Sequence, residues 1–179
     1  MDDVLANTPL FSALDAHGAE ALRSSLSEMK VSKGQELFHE GEPGEHLYLV
    51  LDGKVKLGHG APDGRESLMA VLGPGEMFGE LSLFDPGLRA STATALTDAI
   101  VLALGNDQLM PLLEGRPAVA AALLQALARR LRRTNEAMAD LVFSDVPGRV
   151  AKALMELGEQ FGPLTPDGML VTHDMPQEE

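Results

Sequence analysis

The sequence predicts an α+β fold: a double-stranded β-helix of the jelly-roll type, followed by one long coiled-coil helix. Two observations predict it. Between residues 29 and 105, glycine and proline turn signals divide the chain into short apolar runs about every 10–12 residues, which is typical of β-sandwiches and β-rolls. Between residues 117 and 143, apolar residues recur at helical spacing without such a break.

The composition indicates a globular protein with a real core, since 45% of the 179 residues are hydrophobic. No apolar run is long enough to cross a membrane, and the acidic start Met1-Asp2-Asp3 does not resemble a signal peptide. We therefore expect a cytoplasmic protein that does not enter membranes. The absence of cysteine excludes disulfides, a catalytic thiol and a cysteine-ligated iron–sulfur cluster.

Charge and histidine content limit the function further. The net charge of −13 opposes contact with nucleic acid unless basic residues are clustered. None of the five histidines forms a close pair with metal-ligand spacing, so we expect surface residues and no metal site. These histidines are His17, His39, His46, His59 and His173.

Helical spacing predicts helices over residues 1–30, with a break near Pro9. The apolar residues that give this spacing are Leu5, Leu10, Phe11, Leu14, Leu22 and Leu26. Strands are then expected at 47–51, 54–57 and 68–72, and strand character ends near Leu104. The turn signals between them are Pro43-Gly44, Asp52-Gly53, Pro62-Asp63-Gly64, Gly73-Pro74-Gly75 and Pro86-Gly87.

A short helix over 108–113 and a long one from Pro117 to Phe143 should follow the strands. The long helix carries an apolar seam with alternating spacings of 3 and 4, which indicates a coiled coil. The seam consists of Leu124, Leu127, Leu131, Thr134, Met138 and Leu141. The alternative is a helix packed on its own β-roll. The arginines at 129, 130, 132 and 133 are interpreted as a solvated face rather than a DNA-binding patch.

The long helix should stop after Phe143, because Ser144 or Asp145 can cap a new helix with Pro147 in its first turn. Val150, Leu154, Leu157 and Phe161 continue that helix. A glycine- and proline-rich turn over 162–168 and a short strand over 169–171 should follow. Because the polar end Gln177-Glu178-Glu179 comes directly after this strand, we expect a further domain to be missing.

The segment 78–93 interrupts the strand pattern and carries the most specific chemistry. Gly79 allows close approach of a backbone, and residues 80–84 can form one helical turn whose first N–H groups attract an anion. Arg89 offers a planar donor fork suited to phosphate, and Ala90 leaves its own N–H accessible. Glu80 suits a sugar hydroxyl beside that phosphate. The alternative is a plain turn across which Glu80 pairs with Arg89.

This segment contains Phe78-Gly79-Glu80-Leu81-Ser82-Leu83, and Arg89-Ala90-Ser91-Thr92 follows it. Together the two stretches resemble the phosphate-binding cassette of the cyclic-AMP receptor (catabolite activator, fumarate-nitrate regulator) family of bacterial transcription regulators. The actinobacterial members are the most similar. Residues 131–136 and 143–151 resemble the dimer helix and hinge of that family. Residues 173–179 resemble the opening of its winged helix-turn-helix, although Pro176 departs from the expected threonine or serine.

The resemblance implies ligand contacts residue by residue. Gly79 and Glu80 would meet the ribose 2′-hydroxyl, and Arg89 would neutralise the cyclic phosphate. Ala90 would serve through its backbone N–H, since some members have serine there. Thr134 would meet the base in its own subunit and Asn135 the base in the partner. The whole implied set is Gly79, Glu80, Leu81, Ser82, Arg89, Ala90, Thr134 and Asn135.

The resemblance also implies a division into a cyclic-nucleotide-binding β-roll with N-terminal helices (1–116), a dimerisation helix (117–143), and a hinge with the start of a truncated DNA-binding domain (144–179). The expected module is a homodimer that binds cyclic AMP, with cyclic GMP as the alternative ligand, and it needs no cofactor. Binding would shift the population of helix and hinge arrangements. DNA and RNA polymerase would be partners only of the full-length protein.

Two other function classes stay open. One is a regulator of the same fold that senses haem, a gas or another small molecule, or that is constitutively active. The other is an enzyme, for example a cyclic-nucleotide hydrolase. Neither paired carboxylates nor a nucleophile–base set supports catalysis, so we expect no enzyme.

Overall fold

The computed structural model of the protein describes residues 2–6, 8–12, 14–60, 66–85, 87–166 and 168–170. These residues divide into two compact units. The first, here called the roll unit, extends to Ala122, and the second, the helical unit, begins at Leu123. Among the described residues, no helix combines the length and apolar character needed to span a bilayer.

The roll unit contains most of the secondary structure. Its elements are α1 (Asp2–Ala6), α2 (Pro9–Ser12), α3 (Ala16–Ser25), β1 (Ser27–Val31), β2 (Glu36–Phe38), β3 (His46–Asp52), β4 (Val55–Gly60), β5 (Glu66–Leu72), β6 (Met77–Phe78), α4 (Leu81–Phe84), β7 (Thr92–Ala95), β8 (Ala99–Gly105) and α5 (Asn106–Gly115). α6 (Pro117–Phe143) starts in this unit and continues into the helical unit, which also holds α7 (Val146–Phe161), β9 (Leu164–Thr165) and β10 (Gly168–Met169).

Two four-stranded antiparallel sheets form the roll, with strand orders β1-β8-β3-β6 and β2-β7-β4-β5. Their buried side chains form one shared core. That core consists of Phe38, Tyr48, Val50, Val55, Leu57, Leu72, Phe78, Ala93, Val101 and Ala103. The jelly-roll class that the turn spacing predicts is therefore confirmed.

The turn at Asp52-Gly53 shows why these signals are informative. Gly53 joins β3 to β4 with a φ of +78°, a conformation that favours glycine. A Cβ atom there would also lie 2.4 Å from the backbone oxygen of Asp98. Both the turn geometry and the close approach of the chain therefore require glycine.

The predicted N-terminal helices are confirmed as far as residue 25, including the break, because α2 begins at Pro9. Residues 27–30 are a correction, since they belong to strand β1 rather than to a helix. Leu26 ends α3 in an extended conformation, and its N–H donates to the Arg23 carbonyl. Met29 then pairs with Val101 of β8. Hydrogen bonding to a distant strand outweighs the local helical spacing there.

The helices after the roll agree with the sequence pattern. α5 contains the predicted 108–113 segment and is longer at both ends. The long helix has the predicted limits of Pro117 and Phe143. Asp145 caps α7 as expected, because its side chain accepts a 2.9 Å hydrogen bond from the N–H of Gly148. Pro147 lies in the first turn of α7.

The end of the described chain differs from the prediction. Leu164–Thr165 and Gly168–Met169 pair as a short hairpin, so strand structure lies within the stretch predicted as a turn, and Leu170 follows the hairpin. The strand predicted over 169–171 is therefore shifted toward the N-terminus. Val171, the resemblance at 173–179 and the turn at 62–64 lie outside the described residues.

Candidate functional site

The segment between β6 and β7, here called the cassette (Gly79–Ala90), leaves the sheet and returns to it. β6 pairs with β3, Phe78 opposite Tyr48, and this pairing fixes the point where the cassette begins. Gly79 then turns the chain with a φ of +79°. A Cβ at this position would lie 2.7 Å from Nη1 of Arg89 and 2.9 Å from the His46 carbonyl oxygen. Gly79 is thus needed both for the turn and for the space that Arg89 occupies.

The predicted helical turn at 80–84 is present as α4, Leu81–Phe84. Glu80 precedes it and is only 3% exposed, and Ser82 is also buried. Leu81 is 54% exposed and Ala90 is exposed. The cassette therefore buries Glu80, Ser82 and Arg89 and leaves Leu81 and Ala90 at the surface.

Arg89 is the centre of the site, because a cation that is only 4% exposed is rare in proteins. Its Nη1 donates to the Gly79 carbonyl at 2.8 Å and to Oγ of Ser82 at 3.0 Å. Its Nη2 donates to the His46 carbonyl at 3.0 Å. All three acceptors are uncharged. Within the described part of the chain, the buried Nε atom has no hydrogen-bond acceptor.

Aromatic rings surround the same guanidinium group. Its Cζ atom lies 4.1 Å from the ring centroid of Phe38 and 5.7 Å from that of Tyr48. Both distances fall in the range of cation–π contact. Burial lowers the pKa of Arg89, although Tyr48 and then the carboxylates of Glu80 and Glu42 partly oppose this shift. The protein therefore holds a desolvated positive charge here.

The backbone of Arg89 is fixed by the loop between β2 and β3. The Arg89 N–H donates to the Glu42 carbonyl at 2.7 Å, and the Arg89 carbonyl accepts from the Gly41 N–H at 2.9 Å. Pro43 and Leu88 form an isolated antiparallel bridge beside these bonds. This loop also passes close to the side chain, since a Cβ on Gly44 would lie 2.8 Å from Cζ of Arg89.

Thr134 and Asn135, the two remaining predicted ligand residues, are exposed and belong to the helical unit. Oγ1 of Thr134 donates to the Arg130 carbonyl one turn earlier in α6. Their role in ligand binding stays a prediction. Among the residues described, no group of three or more histidine, aspartate or glutamate side chains is placed to hold a metal ion.

Sequence reasoning missed the residues that surround the Arg89 side chain, which are Phe38, Gly44, His46 and Tyr48. They contact Arg89 from β2, β3 and the loop between them, more than 40 positions earlier in the chain. The available signal was compositional, because the chain has only one tyrosine and six phenylalanines. Because aromatic residues are so few, each one is a candidate for a specific role, but their number does not indicate which of them contacts Arg89.

The hydrogen-bond donors of Arg89 favour one kind of ligand. Three of the five N–H groups of the Arg89 guanidinium donate to neutral oxygens, and the Nε–H has no acceptor among the described residues. An anionic oxygen would form stronger, charge-assisted hydrogen bonds with the same donors. The cassette is therefore suited to a small anionic group such as a phosphodiester.

Comparison with known proteins agrees with this chemistry. The family model described as a cyclic nucleotide-binding domain matches residues 28–116. The CRP-like cAMP-activated global transcriptional regulator of Mycobacterium tuberculosis is 47% identical over 179 residues, which are 100% of this chain and 80% of that protein.

Two solved structures are also similar. The N-terminal domain of a transcriptional regulator from Streptomyces coelicolor shares 58% identity with a TM-score of 0.61, covering 80% of this chain and 99% of that one. The Thermus thermophilus catabolite activator protein shares 38% identity with a TM-score of 0.68, covering 86% of this chain and 72% of that one. The chain therefore belongs to the CRP-like family of transcriptional regulators.

Proposed function

We propose that this chain binds cyclic AMP in the cassette and is the sensing and dimerisation part of a cytoplasmic, non-enzymatic transcription regulator. The observation that carries the proposal is the buried guanidinium of Arg89, which has only neutral acceptors in the contacts described above. The phosphodiester of cyclic AMP carries one negative charge and would compensate this cation. The cyclic AMP receptors among the relatives support the choice of ligand.

The surrounding residues have proposed roles that follow the family resemblance. Gly79 and Glu80 receive the ribose 2′-hydroxyl, for which the buried carboxylate of Glu80 is a suitable acceptor. Ala90 offers its backbone N–H to the phosphate, and its exposed position is compatible with that. Leu81 and Ser82 form the adjoining helical turn. Thr134 contacts the adenine bound in its own subunit, and Asn135 contacts the adenine bound in the partner subunit.

Dimerisation through α6 is the second part of the proposal. Leu124, Leu131 and Met138 lie at seam positions and are 61–66% exposed in the single chain. Large apolar side chains spaced in this way along one helix are typical of a coiled-coil interface. DNA and RNA polymerase are proposed partners of the full-length regulator, whose DNA affinity the ligand controls through the hinge at 143–145.

Calorimetric titration of the chain with cyclic AMP and cyclic GMP tests the ligand. We expect one site per chain, with tighter binding of cyclic AMP, and 5′-AMP serves as the control because it has the same base and sugar but an open phosphate. Absence of heat with both cyclic nucleotides, for a protein with a folded circular dichroism spectrum, would contradict the proposal. A haem absorption band or another bound effector would then support the alternative sensors.

Gel-shift titration tests the assignment of DNA binding. Because the chain has a net charge of −13, we expect no sequence-dependent DNA binding by these 179 residues, with or without cyclic AMP. Tight binding to one operator sequence and not to a scrambled one would show that these residues already contain the DNA-reading element.

A further inference from the structure

Phe38 lies on β2, outside the cassette, and its ring faces the guanidinium group of Arg89. We infer that Phe38 is a positioning residue for ligand binding: its aromatic face holds the Arg89 guanidinium where a cyclic phosphate can reach the in-plane donors. The inference rests on the proposed function, because it assigns a determinant of affinity to the same site.

The geometry of the two planar groups supports this role. Guanidinium donors point outward in the plane of the group, so its faces are left for stacking. The Phe38 ring lies 4.1 Å from Cζ, while Nη1 and Nη2 donate to Gly79, Ser82 and His46. Phe38 therefore contacts the cation beside these hydrogen bonds and does not compete for the oxygens that accept them.

An aromatic ring attracts the buried guanidinium group more strongly than an aliphatic side chain of similar size would. Its negative face attracts a cation, whereas leucine offers only apolar contact. This attraction is strongest where water is excluded, and Phe38 and Arg89 are only 7% and 4% exposed. Phe38 thus helps to keep the guanidinium group in place before the ligand arrives.

Tyr48 is the other aromatic residue near the cation, but its geometry is weaker. Its centroid is 5.7 Å from Cζ, near the outer limit of cation–π contact, and its ring stacks on Phe78 at 5.2 Å. Phe38 packs less closely with its aromatic neighbours, at 5.7 Å from Tyr48 and 6.0 Å from Phe78. The structure therefore assigns the main support to Phe38.

Since Phe38 also belongs to the core, a test must separate its action on Arg89 from a loss of packing. Phe38→Leu keeps an apolar side chain and removes the aromatic face. Phe11→Leu is the matched control, because Phe11 is a phenylalanine of the same unit with 5% exposure and lies on α2. Phe38→Tyr keeps the aromatic face.

The first measurement compares cyclic AMP with adenosine, which lacks the phosphate, by NMR titration up to millimolar concentrations. Phe38→Leu should weaken cyclic AMP binding by about 2- to 30-fold, the range of a buried cation–π contact, and leave adenosine binding unchanged. Phe11→Leu should change neither, and Phe38→Tyr should stay within about threefold of the unmutated chain. Equal losses for both ligands, or no loss of cyclic AMP binding in Phe38→Leu, would overturn the inference.

The second measurement needs no ligand. A double-mutant cycle of Phe38→Leu and Arg89→Leu, followed by urea unfolding, reports the coupling between the two side chains. We expect a clear coupling for this pair and none for the pair Phe11 and Arg89. Absence of coupling at Phe38 would overturn the inference even if cyclic AMP binds. Coupling in a chain that binds no cyclic nucleotide would instead overturn the proposed function and leave the contact established.

Discussion

Two cations, one in each unit, are held in opposite ways. Arg89 in the roll unit is 4% exposed, donates to neutral oxygens, and has a pKa lowered by burial. The Lys152 side chain in the helical unit is 43% exposed and pairs with the carboxylates of Asp140 and Glu156. Its pKa is raised, chiefly by the hydrogen bond with Asp140. Lys152 is thus paired with carboxylates, whereas the side-chain hydrogen bonds described for Arg89 end on neutral oxygens.

The two cations differ because Lys152 is exposed to water and Arg89 is not. Water screens the exposed pair at Lys152, so it contributes little energy and mainly restrains the junction of α6 and α7. Arg89 has lost its water, and carbonyl oxygens replace that hydration only in part. A desolvated cation of this kind costs the empty protein free energy that an anionic ligand can return as affinity.

The largest expected effect is the loss of ligand affinity on removing Arg89. Arg89→Leu should weaken cyclic AMP binding by about 30- to several-thousand-fold, which corresponds to roughly 2–5 kcal/mol for one partner of a desolvated charge pair. Arg89→Lys should recover only part of this, and Glu80→Gln should cost less than either, because an amide oxygen still accepts from the ribose.

Calorimetry of the variants measures that order, and Lys152→Leu is the control, since the comparison predicts unchanged affinity there. If Arg89→Leu is folded and binds cyclic AMP as tightly as the unmutated chain, the phosphate assignment is wrong. A plain turn would then be the better account of the cassette.

The second effect concerns the exposed apolar residues of the helical unit. Leu131→Asp places a charge at a seam position that is 61% exposed in the single chain. If α6 forms a dimer, burial of that charge should cost several kcal/mol and yield monomers at micromolar concentration. Ala139→Asp, at an exposed position off the seam, should leave the dimer intact. Sedimentation velocity distinguishes the two, and a monomeric unmutated chain would contradict the dimer.

Gly44→Ala should have a smaller effect within the roll unit. Its new Cβ would lie 2.0 Å from Oγ of Ser82 and 2.8 Å from Cζ of Arg89, so at least one of these groups must move. We expect a loss of about 1–3 kcal/mol in the free energy of unfolding, typical of overpacking, together with weaker cyclic AMP binding. Gly60→Ala is the matched control, because no atom of the described residues lies within 4 Å of its added Cβ. If urea unfolding gives the same free energy of unfolding for the two variants, the cassette can move to accommodate the added Cβ without a loss of stability.

The smallest effect is the pH dependence of the Lys152 pair. Because folding raises the pKa of Lys152, the folded state binds this proton more tightly. The stabilisation is therefore complete below the ordinary lysine pKa of 10.5 and disappears as the pH rises through the raised value. Urea midpoints of the unmutated chain and Lys152→Gln should differ at pH 8 and converge as the pH rises through the raised pKa of Lys152. A difference that grows with pH would contradict the assignment.

Local sequence features predicted most of the fold. Turn signals such as Asp52-Gly53 and the Asp145 cap act over a few residues, so they can be read without knowledge of the rest of the chain. Strand β1 could not be predicted in this way, since its partner is β8, about 70 residues later. The interruption of the strands was predicted over 78–93 and is shorter in the structure, because Phe78 belongs to β6 and Thr92 and Ala93 belong to β7. The contact of the Phe38 ring with Arg89 could not be predicted, because it depends on how two distant strands pack.

The hydrogen bonds that join Arg89 to the loop at 41–42 have a kinetic consequence. Both backbone groups of Arg89 are engaged, its N–H with Glu42 and its carbonyl with Gly41, so the chain is anchored while the side chain retains its torsions. Re-aiming the guanidinium needs rotation about side-chain bonds rather than displacement of a loop. A rotation confined to one side chain displaces fewer atoms than a loop rearrangement does. Because the anchored backbone does not have to move, differences in affinity among the variants should appear mainly in how long the ligand stays bound.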